Sequence, residues 1–442
     1  MFVCNRLLDP FMLRALKAAG LIILLGGAQI DAAVAASESV STDTETVITR
    51  KLDPSNPAPP AESFLPDPSK FYPKRFAPVV DSGSTYLMRA AMRGDVKALS
   101  AELDNGVDVD EQDPSGMTAL AHAAGAGQVA AVELLLDRGA GVDRLDHTGA
   151  TPLMHAIASG HVDSLKLLIK RSANVNARLK QSKTTPLIQA SWYGRADMVA
   201  LLLDAEADIN AANTGHVNAL MTAIQQQHRD VVMLLLERGA SIEGVSRTGM
   251  SALDYAATAN DAKTTELLIK RGILVNRRDG LGRTPLMRAA ASGALVSMQV
   301  LLETGAEVNA VSKNGVTALM LAASNHEAAA AKQLLQHGAD PNARSTDMGA
   351  TPLLWAVGRK DGELVRELLA HDADPNIADK SGRTPLMIAA DLGDRDLVLL
   401  LLSAKADPSM KSVSGMTAYD FAEQKKHREI LSLLSTEQSE TQ

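Results

Sequence analysis

At 442 residues the chain exceeds the usual size of one compact core, so several structural units are expected. The apolar fraction of 46% is ample for burial, but aromatics supply only 3%, which favours closely approaching helices over a ring-packed sheet core. A net charge of −8 shows no basic domain and argues against nucleic acid, and the single cysteine, Cys4, leaves no internal disulfide, cysteine zinc set or CxxC pair.

The first 36 residues place Arg6, Arg14 and Lys17 ahead of an apolar run from Ala18 to Ala28, closed by Ala32-Ala33-Val34-Ala35-Ala36. This is the layout of a secretory signal peptide. The run is about half of what a bilayer span needs. The expectation is a bacterial chain whose leader is cleaved and whose mature form, 37–442, is periplasmic or secreted with no stable membrane span. An uncleaved inner-membrane anchor is the alternative. The mature chain would carry no cysteine, which suits an oxidising compartment. Residues 37–80 hold Pro54, Pro57, Pro59, Pro60, Pro66, Pro68, Pro73 and Pro78, and read as an extended linker. Phe64, Phe71, Tyr72 and Phe76 also fall there, and suggest docking on the first units or on a partner.

From residue 81 to 434 the chain repeats. A Thr-x-Leu anchor recurs at Thr85, Thr118, Thr151, Thr185, Asn218, Ser251, Thr284, Thr317, Thr351, Thr384 and Thr417, at intervals of 33 or 34. Such a period signals a solenoid. Glycines such as Gly116, Gly149 and Gly282 stand two residues before the anchor and permit a tight turn. The anchor oxygen can cap a helix, and Pro152, Pro186, Pro285, Pro352 and Pro385 follow at the first helical position. An Ala-rich helix comes next, then a second helix with a Leu block such as Leu134-Leu135-Leu136. Gly139, Gly239, Gly272, Gly305 and Gly338 end it as left-handed caps. Ser172, Glu206, Asp372 and Lys405 stand where that cap glycine is missing. The 34-residue intervals put an extra residue near Lys180–Lys183 and Ser345–Met348, in longer hairpin tips. The charged unit from Tyr419 to Leu434 reads as a C-terminal cap, and 435–442 as a polar tail.

The unit resembles the ankyrin repeat, on Gly282-Arg283-Thr284-Pro285-Leu286 and Gly338-Ala339-Asp340-Pro341-Asn342. The resemblance implies an all-α fold, an ankyrin-repeat solenoid of about eleven helix-turn-helix units with hairpin tips, and a non-enzymatic, monomeric scaffold that binds one or more proteins through a concave groove. Where the family often carries His after Thr-Pro-Leu, this chain has Met88, Met154, Met221, Met287, Met320 and Met387, so adaptable apolar packing is expected there.

In this family the hairpin tips and the exposed side of the first helix line a concave groove. The position four residues past the anchor runs Arg89, His122, His155, Gln189, Thr222, Tyr255, Arg288, Leu321, Trp355, Ile388. Trp192 and Tyr193 sit further along the same helix, where other units have smaller side chains. Interface anchors are enriched in Trp, Tyr and Arg. Trp192, Tyr193, Trp355, Tyr255, Arg288, Arg89, His122, His155 and Gln189 are therefore the candidate protein-binding residues.

No catalytic constellation, cofactor or metal set is expected. His326-Glu327 starts like HExxH, but Ala330 replaces the second His. Gly125 to Ala130 matches G-x-G-x-x-A but follows no strand. His122, His147, His155 and His161 come from different turns and lack metal-ligand spacing. The alternatives are a metal or small-molecule sensor using the His-lined groove, an effector secreted into a host cell, and an enzyme.

Overall fold

The computed structural model of the protein describes residues 85–440. The expected leader (1–36) and proline-rich segment (37–80) lie outside the described residues. Among the described residues there are twenty-two helices and no strand beyond three isolated bridges. They form eleven successive pairs. Units 1 to 4 comprise α1 (Tyr86–Arg93) and α2 (Val96–Asp104), α3 (Ala119–Gly125) and α4 (Val129–Asp137), α5 (Pro152–Ser159) and α6 (Val162–Lys170), and α7 (Pro186–Trp192) and α8 (Ala196–Asp204). Units 5 to 8 comprise α9 (Ala219–Gln225) and α10 (Arg229–Glu237), α11 (Ala252–Thr258) and α12 (Ala262–Lys270), α13 (Pro285–Ala291) and α14 (Leu295–Glu303), and α15 (Ala318–Ser324) and α16 (Ala328–Gln336). Units 9 to 11 comprise α17 (Pro352–Gly358) and α18 (Gly362–Ala370), α19 (Pro385–Leu392) and α20 (Arg395–Ser403), and α21 (Ala418–Lys425) and α22 (Arg428–Glu440). The last helix continues past residue 434, so most of the stretch read as a polar tail extends α22.

Each first helix starts where its anchor predicts. The side-chain oxygen of Thr85, Thr118, Asn218 or Ser251 accepts from the backbone N–H three residues on. Ser251 and Thr417 add the reciprocal half of a capping box through Asp254 and Asp420. Each second helix of units 1 to 10 ends in a left-handed residue. Glycine takes that position at Gly139 (φ 88°) and Gly305 (φ 94°), whereas Ser172, Glu206, Asp372 and Lys405 adopt it with φ of 62–66°. Both extra residues widen a hairpin turn. Gly349 donates to the carbonyl of Ser345 four residues back, where Gly116 donates to Asp113 only three back.

The interior is built from leucine, alanine and methionine. Alternate helices stack, first helix on first helix and second on second. All six methionines after the anchor leucine are fully buried in it. The loops that follow the second helices are joined by a ladder in which one Asp or Asn oxygen accepts the N–H of the next unit's loop. Examples are Asp110 to Gly141, Asn176 to Asp208 and Asn342 to Asp374, at 2.8–2.9 Å. In several units the residue that starts the second helix packs on the preceding unit. His228 sits over Gly194 and donates to the Trp192 carbonyl at 3.0 Å, and His427 does the same over Gly393 to Asp391. His161 likewise covers Gly127.

Candidate protein-interaction face

The row four residues past the anchor is mostly interior. His122, His155, Gln189, Tyr255 and Arg288 keep only 4, 2, 5, 1 and 3% of their surface, so the exposure expected of them does not hold. The reason is helical geometry. A residue one turn past the cap lies on the same side as the cap, and that side faces the unit's own hairpin. The residue five before the anchor, six in the longer unit 9, closes the hairpin and meets it.

In unit 2, Oδ1 of Asp113 accepts from the N–H groups of Ser115 and Met117 and from the Ser115 hydroxyl. Only Oδ2 remains, and His122 Nε2 donates to it at 2.9 Å. Unit 3 repeats this with Asp146 and His155 at 3.0 Å. In unit 7, Asp279 receives Arg288 at 2.5 Å and Arg283 at 2.9 Å. Where the hairpin residue is Ser246, Ser312, Ser345 or Ser412, its hydroxyl is used inside the turn, and the partner position holds Tyr255, Leu321, Trp355 or Phe421. Asp379 faces Ile388 and instead has Arg383 at 3.5 Å. Outside unit 10, then, a hairpin carboxylate is matched by a polar partner and a hairpin serine by an aromatic or apolar one.

These pairs are electrostatically committed. Burial would raise Asp146, but the bonds from His155, Thr148 and Ala150 prevail and lower it to about 2. Burial lowers His122 despite the opposing pull of Asp113. Arg288 also lies 3.4 Å from Asp254 of α11, which burial pushes above the ordinary carboxylate range.

Four candidates remain at the surface, all half-buried. Arg89 lies on α1 and Trp355 on α17. The Trp355 indole N–H is buried and meets no acceptor among the described residues. Trp192 ends α7 and Tyr193 caps it. In the two preceding units the matching positions are Gly125-Ala126 and Ala158-Ser159, so the Trp–Tyr pair forms a step on the first-helix side. Burial pushes the Tyr193 phenol up, against the pull of Arg195. Among the described residues no group of three or more His, Cys, Asp or Glu side chains has metal-holding geometry.

The hairpin fingers carry a feature that the sequence reading passed over. A long polar side chain six or seven residues before the anchor donates to a carbonyl of the next finger. Gln112 reaches Leu145 at 3.0 Å, Arg178 reaches Ala212 at 3.0 Å, Arg278 reaches Val311, and Arg344 reaches Ala378 at 2.8 Å. Lysines four residues before the anchor reach back, Lys313 to Gly280 at 2.7 Å and Lys380 to Thr346. The legible signal was Lys or Arg recurring at these offsets from the anchor.

A family model described as ankyrin repeats (3 copies) matches residues 87–179, 141–213, 187–279, 275–345 and 353–441. Among solved structures 576 chains match. One is the crystal structure of the human ASB11 ankyrin repeat domain, 28% identical, covering 51% of this chain and 99% of its own, with a TM-score of 0.46. The search of curated proteins found no match.

Proposed function

The chain belongs to the ankyrin-repeat family, and on that premise we propose that it is a non-enzymatic scaffold of the bacterial periplasm or envelope that holds a client protein against the first-helix side of its stack. Ankyrin repeats support protein partners in general. The observation that carries the finer reading is the Trp192–Tyr193 step with Trp355. These large side chains stay half-exposed in a chain whose other candidate residues mostly turn inward. A stack held by caps, ladders and interior pairs presents them rigidly, which lowers the ordering cost of association. The leader-like first 36 residues support export. The sensor alternative finds no open groove at His122 and His155, which are buried against Asp113 and Asp146.

The test expresses the tagged full chain in its source cell, beside a Trp192→Ala/Tyr193→Ala/Trp355→Ala variant checked to be folded. The expected result is an envelope protein that co-purifies with the first and at least about tenfold less with the second, a loss on the scale of an interface hot spot. Equal recovery by both would remove these residues from the site. Finding the tagged chain, with its leader intact, in the cytoplasmic fraction would overturn the envelope assignment.

A further inference from the structure

We infer that the finger edge of units 4 to 10 docks an acidic polypeptide segment that also carries apolar side chains. This rests on the scaffold reading and names the chemistry of the partner. The hairpin segments of units 4 to 11 hold twelve Lys and Arg against three acids, in a chain of net charge −8. Two of those acids, Asp279 and Asp379, are buried. On the finger of unit 4, Arg178, Lys180 and Lys183 are exposed, and the fingers beyond it add exposed Arg247, Lys313, Arg344 and Lys380. None of these seven has a carboxylate within ion-pair distance among the described residues.

The finger ties do not require this charge. In unit 2 the neutral Gln112 makes the same bridge, to Gly116 and Leu145, that arginine makes elsewhere. A carbonyl partner orients a cation without neutralising it. The edge is thus a row of positive charges held partly in place, which attracts an acidic partner and speeds its encounter. Apolar side chains accompany them. Leu281 and Val311 are 58 and 46% exposed beside the carbonyls that take Lys313 N–H and Arg278. With layers about 10 Å apart, successive fingers match about every third residue of an extended peptide. Exposed leucine and valine suit such a peptide better than a sugar-phosphate or glycan chain.

The probe is a fluorescein-labelled peptide alternating glutamate with leucine, titrated by anisotropy against the full chain at low and high salt, with heparin as a second probe. Two variants change Lys180, Lys183, Arg247, Lys313 and Lys380, one to Glu and one to Gln. The Gln set guards against misfolding, since glutamine removes the charge but keeps a side chain that can still donate to a carbonyl. The expected result is salt-sensitive binding of the peptide, weakened about tenfold or more by Glu and less by Gln. No binding at low salt, equal affinity in all three proteins, or tighter binding of heparin than of the peptide would overturn the inference. The Trp192/Tyr193/Trp355 variant separates the two readings. Lost client capture by that variant with no peptide binding would sink the acidic segment alone. Peptide binding with unchanged capture would sink the first-helix site.

Discussion

Asp113 and Asp146 show how one side chain can close a turn and anchor a neighbour. Each gives one oxygen to its own hairpin and the other to a histidine. In the Asp113–His122 pair the two members respond to acid in separate windows. The fold lowers His122, so the unfolded chain takes the proton first, and stability falls as pH drops below about 6.5. The fold also lowers Asp113, and lowers Asp146 to about 2, so their contribution is whole above about pH 4 and is lost below it. Urea midpoints should therefore fall between pH 7 and 5.5, and again under pH 4. His122→Gln, which can still donate to Asp113, should flatten the upper step. A wild-type midpoint that does not move between pH 7 and 5.5 would contradict this account.

At the scale of the helix, propensity matters less than the ends. Second helices run nine residues in units 1 to 10, too short to persist alone, so caps and stacking hold them. The left-handed ends offer a clean comparison. A Cβ at Gly239 would meet nothing within 4 Å, so only backbone strain separates glycine from other residues there. Glu206 bears that strain at φ 62°. Glu206→Gly should stabilise by about 0.5 kcal/mol, the relief being offset in part by a freer unfolded chain, and Gly239→Ala should destabilise by about 1 kcal/mol. Urea unfolding of the two variants beside the wild type gives the order directly, and a destabilised Glu206→Gly would mean that its side chain makes contacts the geometry does not reveal.

The whole stack is not uniform. Along the second helices, ion pairs at a spacing of 34 join Asp104 to Arg138, Asp137 to Arg171 and Asp204 to Arg238, at 2.8–2.9 Å. Glu237 and Arg271 stand at the same spacing across units 5 and 6 and form no such pair. The backbones of their helices α10 and α12 approach less closely than those of other neighbouring second helices, although Arg229 and Asp261 still join the starts at 2.7 Å. The loop ladder breaks close by, because Glu243 replaces the short acceptor that would have taken the N–H of Leu274. In a Cys4→Ser background, the double variant Asp204→Cys/Arg238→Cys should cross-link with a short bifunctional reagent. Glu237→Cys/Arg271→Cys should cross-link markedly less under the same conditions. Comparable yields from both variants, read by peptide mass, would show the stack to be closed at this junction.

Whatever lies within one period could be read from the residues alone. The number of units, the helix starts at Thr, Ser and Asn, the left-handed ends at Ser172 and Glu206, and the burial of methionine were all legible. A solenoid makes contacts between residues close in sequence, so its local signals agree with its fold. The face to which His122, Tyr255 or Arg288 turns was not legible. That depends on how the hairpin folds back over the first helix, and the side chain's partner is chosen by the acceptor left over in the turn. The finger ties of Arg178 and Lys380, and the parting of α10 from α12, were likewise decided only in the tertiary structure, because each depends on the placement of one unit against the next, a geometry that no single 33-residue pattern contains.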